Sequence, residues 1–317
     1  MEPLEIRDAF DAPYAPYQRE AVDAAVAQRE AVTPLLLERL ESVVSDPHGW
    51  AAAEDRGPFL LYLLVLLTHF RETRAHSNLL ALATLPGDLA EELLGDALSE
   101  LLPFALWRTS GGDPSGLWEL ARDREIYGYG RWAALSALTE AAHLGELDAE
   151  VVKATLGDWL AQDDFAARED PAWEGLMINL LSLDATEHEP LLRRRVREGY
   201  VHWTVRESEI DHVFSEDREA RLAEAREWAE KSFSEDVHRH LSDWASLQPG
   251  FWDDLDEEAI PGDGPLTSGE LPPVWDRPGG NEAAVRPSTK PAGPDPKKKK
   301  AKRKQQKQAR KGNRKKK

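Results

Sequence analysis

The chain contains no cysteine. Disulfides, thiolate zinc sites and cysteine nucleophiles are therefore excluded, and a reducing compartment suits it. Long apolar runs are missing too. The most apolar stretch, Phe59 to Leu67, is nine residues, whereas a membrane-spanning helix needs about 20. It reads as a buried helix, and no membrane span is expected. The first residues, Met1-Glu2-Pro3-Leu4-Glu5, are acidic and lack an apolar core, so they do not read as a secretory signal. The cytoplasm is the expected location. Neither a phosphate-cradling Gly-x-x-x-x-Gly-Lys nor a nucleophile elbow Gly-x-Ser-x-Gly occurs. Catalysis is not expected.

Positive charge is scarce over most of the chain and concentrated at its end. Of 317 residues, 40 are Lys or Arg and 58 are Asp or Glu, a formal net charge of −18. The 21 residues from Lys297 to Lys317 hold 14 of the basic residues and none of the acidic ones. The first 296 residues therefore set 26 basic residues against 58 acidic, a formal −32. Such a body repels polyanions, whereas the tail attracts phosphate backbones through counterion release without reading sequence. Lys297, Lys298, Lys299, Lys300, Lys302, Arg303, Lys304, Arg310, Lys311 and Arg314 are its candidate contacts. No aromatic residue is interleaved for base stacking. The tail could instead fold onto the acidic body or serve only as a solubilising segment.

Residues 1–245 read as helix after helix. Thr33-Pro34, Asp113-Pro114 and Asp170-Pro171 look like caps followed by proline at the first helical position. Trp173, Leu176, Met177, Leu180 and Leu181 share one helical face. A single helix is expected after Gly87-Asp88, its stripe running from Leu89 to Leu102 and Pro103 near its end. Further helices are expected over about Arg131–Ala142, with Trp132 inward, and from about Asp148, with Val151 inward. Tyr127-Gly128-Tyr129-Gly130 reads as an inter-helix turn. No sustained apolar–polar alternation suggests strands. The next segment, 246–296, holds ten prolines and seven glycines and cannot bury enough apolar surface to offset chain entropy. It reads as a disordered linker and 297–317 as a disordered tail.

Few side chains point to chemistry. Two Glu-x-x-His pairs, Glu209/His212 and Glu235/His238, each place both groups on one helical face, as di-iron bundles do. Helical, acidic sequences produce such pairs by chance, so they are weak metal candidates, and no cofactor is expected. In the acidic body Arg71, Arg74 and Arg131 stand out as residues that could dock an acidic protein partner, as does the triplet Arg193 to Arg195. The alternative for all of them is intramolecular pairing.

Three stretches carry a family resemblance. One is His69-Phe70-Arg71-Glu72-Thr73-Arg74-Ala75 with Leu79-Leu80 and Leu85-Pro86-Gly87. The second is Glu92-Leu93-Leu94-Gly95-Asp96-Ala97-Leu98 with Leu102-Pro103. The third is Tyr129-Gly130-Arg131-Trp132-Ala133-Ala134-Leu135-Ser136-Ala137-Leu138. Together with Tyr17 to Leu40, they resemble the bacterial domain-of-unknown-function family numbered 1186, over roughly residues 10 to 215. The resemblance implies HEAT-like helical repeats and brings no catalytic residues. Many members end in a zinc-binding SEC-C motif built on cysteines, whose ligands this chain lacks.

The expectation is thus an all-α protein, a HEAT-like α-solenoid of degenerate antiparallel helix pairs followed by a linker and basic tail. Its function would be a non-catalytic scaffold binding a protein partner in its groove, the tail touching RNA, DNA or ribosomes. A metal-dependent enzyme using the Glu-x-x-His pairs, or a structural subunit of a larger complex, are the alternatives.

Overall fold

The computed structural model describes residues 1–53, 57–201, 204–232, 236–242 and 244–249. The chain divides into two units, Met1–Ser268 and Gly269–Lys317, and every described residue lies in the first. The linker from residue 250 and the tail lie outside the described residues.

The protein is all-α, and the described residues contain no strand. The helices are α1 (Pro3–Phe10), α2 (Arg19–Ala27), α3 (Arg29–Ser45), α4 (Pro47–Ala52), α5 (Phe59–Phe70) and α6 (His76–Ala83). There follow α7 (Gly87–Leu94), α8 (Ala97–Glu100), α9 (Leu102–Thr109), α10 (Ser115–Arg122), α11 (Gly128–His143) and α12 (Ala149–Ala161). The last are α13 (Pro171–Ser182), α14 (Glu189–Arg197), α15 (Glu207–Ser215), α16 (Arg218–Ser232) and α17 (Val237–Ser242). Short 3-10 turns occupy Thr73–Ala75, Thr186–His188 and Ala245–Leu247.

Local chemistry explains most of the boundaries. Asp148 caps α12 by accepting from the Glu150 and Val151 amides, and Asp170 caps α13 by accepting from Ala172 with Pro171 behind it. These side chains satisfy amides that have no partner inside the helix. Asp113 accepts from the Ser115 amide, and α10 begins one residue later than expected.

Elsewhere the structure differs from expectation. Thr33-Pro34 lies inside α3, because the chain turns from α2 into α3 through Gln28 alone and Thr33 Oγ1 bonds back to the Arg29 carbonyl. The single helix expected over Leu89–Leu102 is three helices. Gly95 breaks it at φ +52°, and Pro103, which has no amide to donate, starts α9 rather than ending its predecessor. The Tyr127–Gly130 turn is the entry and first turn of α11. A Cβ on Gly130 would lie 2.0 Å from the Ala83 carbonyl oxygen, so glycine is what lets α11 touch the end of α6. Val151 faces solvent, and Trp132 is half-buried, stacked on Tyr129.

The core is built on α5 and α11. α5 is buried almost throughout and packs on α3 and α9; α11 packs on α9, α10, α12 and α13. Trp132 lies against Gly175, Ser136 bonds Asn179 and His143 meets Ser182. These pairs advance together along both helices, so α11 and α13 run parallel. Short connections then require α12 to run back between them.

Candidate functional site

The sequence candidates fall in three places. Arg71 and Arg74 sit where α5 turns into α6. Arg71 ends α5 in the left-handed conformation at φ 50°, and its side chain is exposed. Arg74 lies flat against Glu72, its Nε at 2.7 Å from Oε1 and its Nη2 at 2.9 Å from Oε2. That pairing holds the Glu72 carboxyl below its ordinary range. Arg29 Nη2 donates to the Phe70 carbonyl at 2.5 Å while its guanidinium covers the Phe70 ring. Arg29, Glu30, Thr33, Pro34, Glu72 and Arg74 line a shallow depression of about 390 Å³ beside them. The corner thus leaves Arg71 exposed while Arg29 and Arg74 are engaged by Phe70 and Glu72.

Arg131 does not belong to that corner. Its side chain is fully buried, Nε donating to Ala121 O and Nη2 to Phe165 O. A docking role for Arg131 is therefore corrected, because no surface of it is available. The triplet divides in the same way. Arg195 is buried and donates to Leu160 O and Asp163, while Arg193 pairs with Glu189 and Asp211.

Among the described residues no group of three or more His, Asp or Glu side chains could hold a metal ion. His212 lies 3.5 Å from Glu216. His238 is held at both ring nitrogens, Nδ1 by the Tyr17 hydroxyl at 2.5 Å and Nε2 by Asp23 at 2.9 Å. Glu235 and the tail contacts from Lys297 to Arg314 lie outside the described residues.

One buried polar cluster was missed by the sequence reading. Beyond α13 the backbone turns through Asp184 at φ 55°, a conformation disfavoured for a residue with a Cβ. The Asp184 carboxylate is buried and receives Arg218 Nε at 2.6 Å and Arg221 Nη2, both from α16. Farther along α16, Arg226 Nε donates to the His143 carbonyl at the end of α11. Ala229 is the α16 residue that reaches full burial among those described. Trp228 and His240 then lean on Phe104 of α9, at 6.1 and 6.2 Å between ring centroids. α17 packs on α5 and α2, and Leu247 O accepts from the Tyr17 amide at 2.8 Å. The segment from Arg218 to Leu247 is thus a strap laid back across α13, α11, α9, α5 and α2.

Beneath the strap lies His143, and Glu140 is one turn earlier on α11. Burial pushes the Glu140 carboxyl up to about 8 and, with the nearby Arg226, pushes the His143 imidazole down to about 4. Both are then uncharged near neutral pH. His143 Nε2 and Ser182 Oγ are 3.1 Å apart, the spacing of a base and a nucleophile. An imidazole titrating near 4 is a poor proton acceptor at neutral pH, and Ser182 itself donates to Asn179 O. The pair therefore reads as a helix-to-helix tie.

A family model described as "Protein of unknown function (DUF1186)" matches residues 5–248. The chain belongs to this family. The match runs from α1 through the last 3-10 turn, so the strap lies inside the DUF1186 region and the basic tail outside it. An uncharacterised protein of Chlamydia trachomatis serovar D is 29% identical over 167 residues, 52% of this chain and 64% of the relative. Another from Chlamydia muridarum is 29% identical over 165 residues, 52% of this chain and 65% of the relative. The matches thus span slightly less than two thirds of the length of these curated relatives. No solved structure matches.

Proposed function

We propose that this DUF1186 protein is a non-catalytic, cytoplasmic interaction scaffold. It is a HEAT-like helical array with a face that receives a helical segment and a basic tail that tethers it to RNA, DNA or ribosomes. The observation that carries this reading is the strap. One face of the array already holds a helix of the same chain, gripped by arginine side chains rather than by a wide apolar seam. A helix held that way can leave without dismantling the core, because its removal exposes little apolar surface. The exposed Arg71 at the α5–α6 corner supplies a further contact for an acidic partner. The tail contribution rests on its 14 positive charges in 21 residues.

Hydrogen exchange tests the scaffold face. The α16 amides should exchange at least about ten-fold faster than those of α11 and α13, as a unit, through local opening. Equal protection of α16 and α11 would refute an accessible face. The tail is tested by RNA and DNA binding across a salt series. Full-length protein should bind with a steep salt slope that a 1–296 truncation lacks.

A further inference from the structure

Three properties of the strap set it apart from a helix built permanently into the core. Its grip is polar. Arg218 and Arg221 converge on Asp184 and Arg226 holds the His143 carbonyl, and of the described α16 residues Ala229 alone is fully buried. The fit is also incomplete. Arg221 Nε of α16 and Glu140 Oε2 of α11 are both buried without a hydrogen-bond partner. Such groups are costly to leave unsatisfied, and a native seam normally pairs them. Finally, the receiving surface carries its own strain, since Asp184 is presented from a left-handed backbone position.

The position of Glu140 shows what is missing. On α11 it stands between Ser136, which bonds Asn179 of α13, and His143, which meets Ser182 of α13. It therefore shares the face of α11 that looks into the seam. On α16, Arg218, Arg221, Ala225 and Ala229 fall on one stripe at helical spacing. Ala225, in the middle of that stripe, has no group to donate. The groups that the α16 arginines contact are a buried carboxylate, Asp184, and the carbonyl end of α11, where the helix dipole is negative. α16 itself carries Glu219, Glu224, Glu227 and Glu230 among its arginines, which suits solvent rather than that surface.

We infer that α16 is a stand-in bound in cis, and that the surface beneath it is a docking groove for a cationic helix of a partner protein. That helix would carry guanidinium groups at positions i, i+3 and i+8, matching Arg218, Arg221 and Arg226. A fourth basic side chain at i+7 would reach Glu140. This inference rests on the scaffold reading and adds the chemistry of the partner: an arginine-rich helix, taken by charge and register, with α16 as its competitor.

The probe is a fluorescein-labelled peptide of residues 216–232, with an Ala225→Arg version, titrated against the full-length chain. On the Arg218→Ala/Arg221→Ala chain, whose own strap is weakened, the parent peptide should bind at least about ten-fold tighter than on the unaltered chain, because the cis competitor has lost its hold. Ala225→Arg in the peptide should add about another ten-fold, a gain absent on a Glu140→Gln chain. Asp184→Asn should remove binding of both. Should the strap-weakened chain fail to fold, the unaltered chain still decides the matter: added Ala225→Arg peptide should accelerate hydrogen exchange of α16 and leave α11 protected. Equal binding by a peptide with all its arginines replaced by alanine overturns the cationic partner and leaves the scaffold reading standing. No binding by any peptide, with α16 as protected as α11, overturns both.

Discussion

Helices α13 and α16 lie against the same neighbour, α11, and are held to it by different physics. On α13, Trp173, Leu176, Met177, Leu180 and Leu181 are all at 0% exposure. Each such side chain contributes roughly 1.5–3 kcal/mol by leaving water. α16 is held by Arg226 on the carbonyl end of α11 and by Arg218 and Arg221 on Asp184 just beyond α13, with Ala229 as the buried apolar group and Trp228 51% exposed. Apolar burial is non-directional and has no partner to exchange, so α13 is fixed by the whole interior. Hydrogen-bonded ion pairs are directional and can be replaced one for one by another cation. The chain thus builds its array with one kind of contact and closes a face of it with the other.

Mutations can separate the two regimes. The largest effect is expected at Trp173→Ala, which should cost about 3–5 kcal/mol in urea unfolding by leaving a cavity in the array. A loss below about 1 kcal/mol would mean that α13 is no better anchored than α16. Asp184→Asn should cost less, about 1–3 kcal/mol, because it leaves the Arg221 guanidinium facing a neutral group. Its effect should appear as faster α16 exchange with α11 and α13 still protected.

The protonation states beneath the strap give a pH-dependent version of the comparison. Glu140 has its carboxyl raised to about 8 from an ordinary 4.5, so the fold favours its neutral form. Stability from this group is full below about 4.5 and is lost as pH climbs toward 8. His143 has its imidazole lowered to about 4 from 6.5, so its contribution is present above 6.5 and lost as pH falls toward 4. The two oppose each other between 4.5 and 6.5, and a net decline remains from pH 6.5 to 8. Glu140→Gln should flatten that decline and stabilise the protein at pH 8 by roughly 1–3 kcal/mol. Thermal melting at pH 5, 6.5 and 8 measures it, and an unchanged slope in the variant would remove Glu140 from the seam. The smallest effect is expected at Arg218→Ala, whose side chain is 62% exposed. Global stability should change by only about 0.5 kcal/mol, while α16 exchange quickens.

The difference between the regimes also decides what could be read from the sequence. Apolar periodicity with an Asp-Pro start located the beginning of α13 to the residue, because both signals are local. The buried stretch Phe59 to Leu67 was legible for the same reason. The break at Gly95 was not, because leucines continue the stripe through it and only the backbone angle interrupts the helix. Arg131 looked like a surface docking residue because a sequence does not display the carbonyls of Ala121 and Phe165 that receive it. The strap was invisible for the most basic reason. Its partners Asp184, His143, Phe104 and Tyr17 lie 34 to 230 residues away along the chain, and no local pattern joins them. One trace was available: Glu140 and His143 interrupt the inner face of an otherwise alanine- and leucine-rich helix.

The two buried arginines bear on how the array comes apart. Arg131 of α11 binds the Ala121 carbonyl near the end of α10 and reaches on to Phe165 beyond α12. Arg195 of α14 binds Leu160 near the end of α12. Each guanidinium also lies over aromatic rings, Phe165 for one and Trp173 and Tyr200 for the other. Linear helical arrays ordinarily loosen from an end, one pair at a time. Here a pair cannot peel away without stranding a charge in the interior of its neighbour, so stages that would otherwise be separate are tied into a single step. The span from α10 to α14 should melt in one sharp transition.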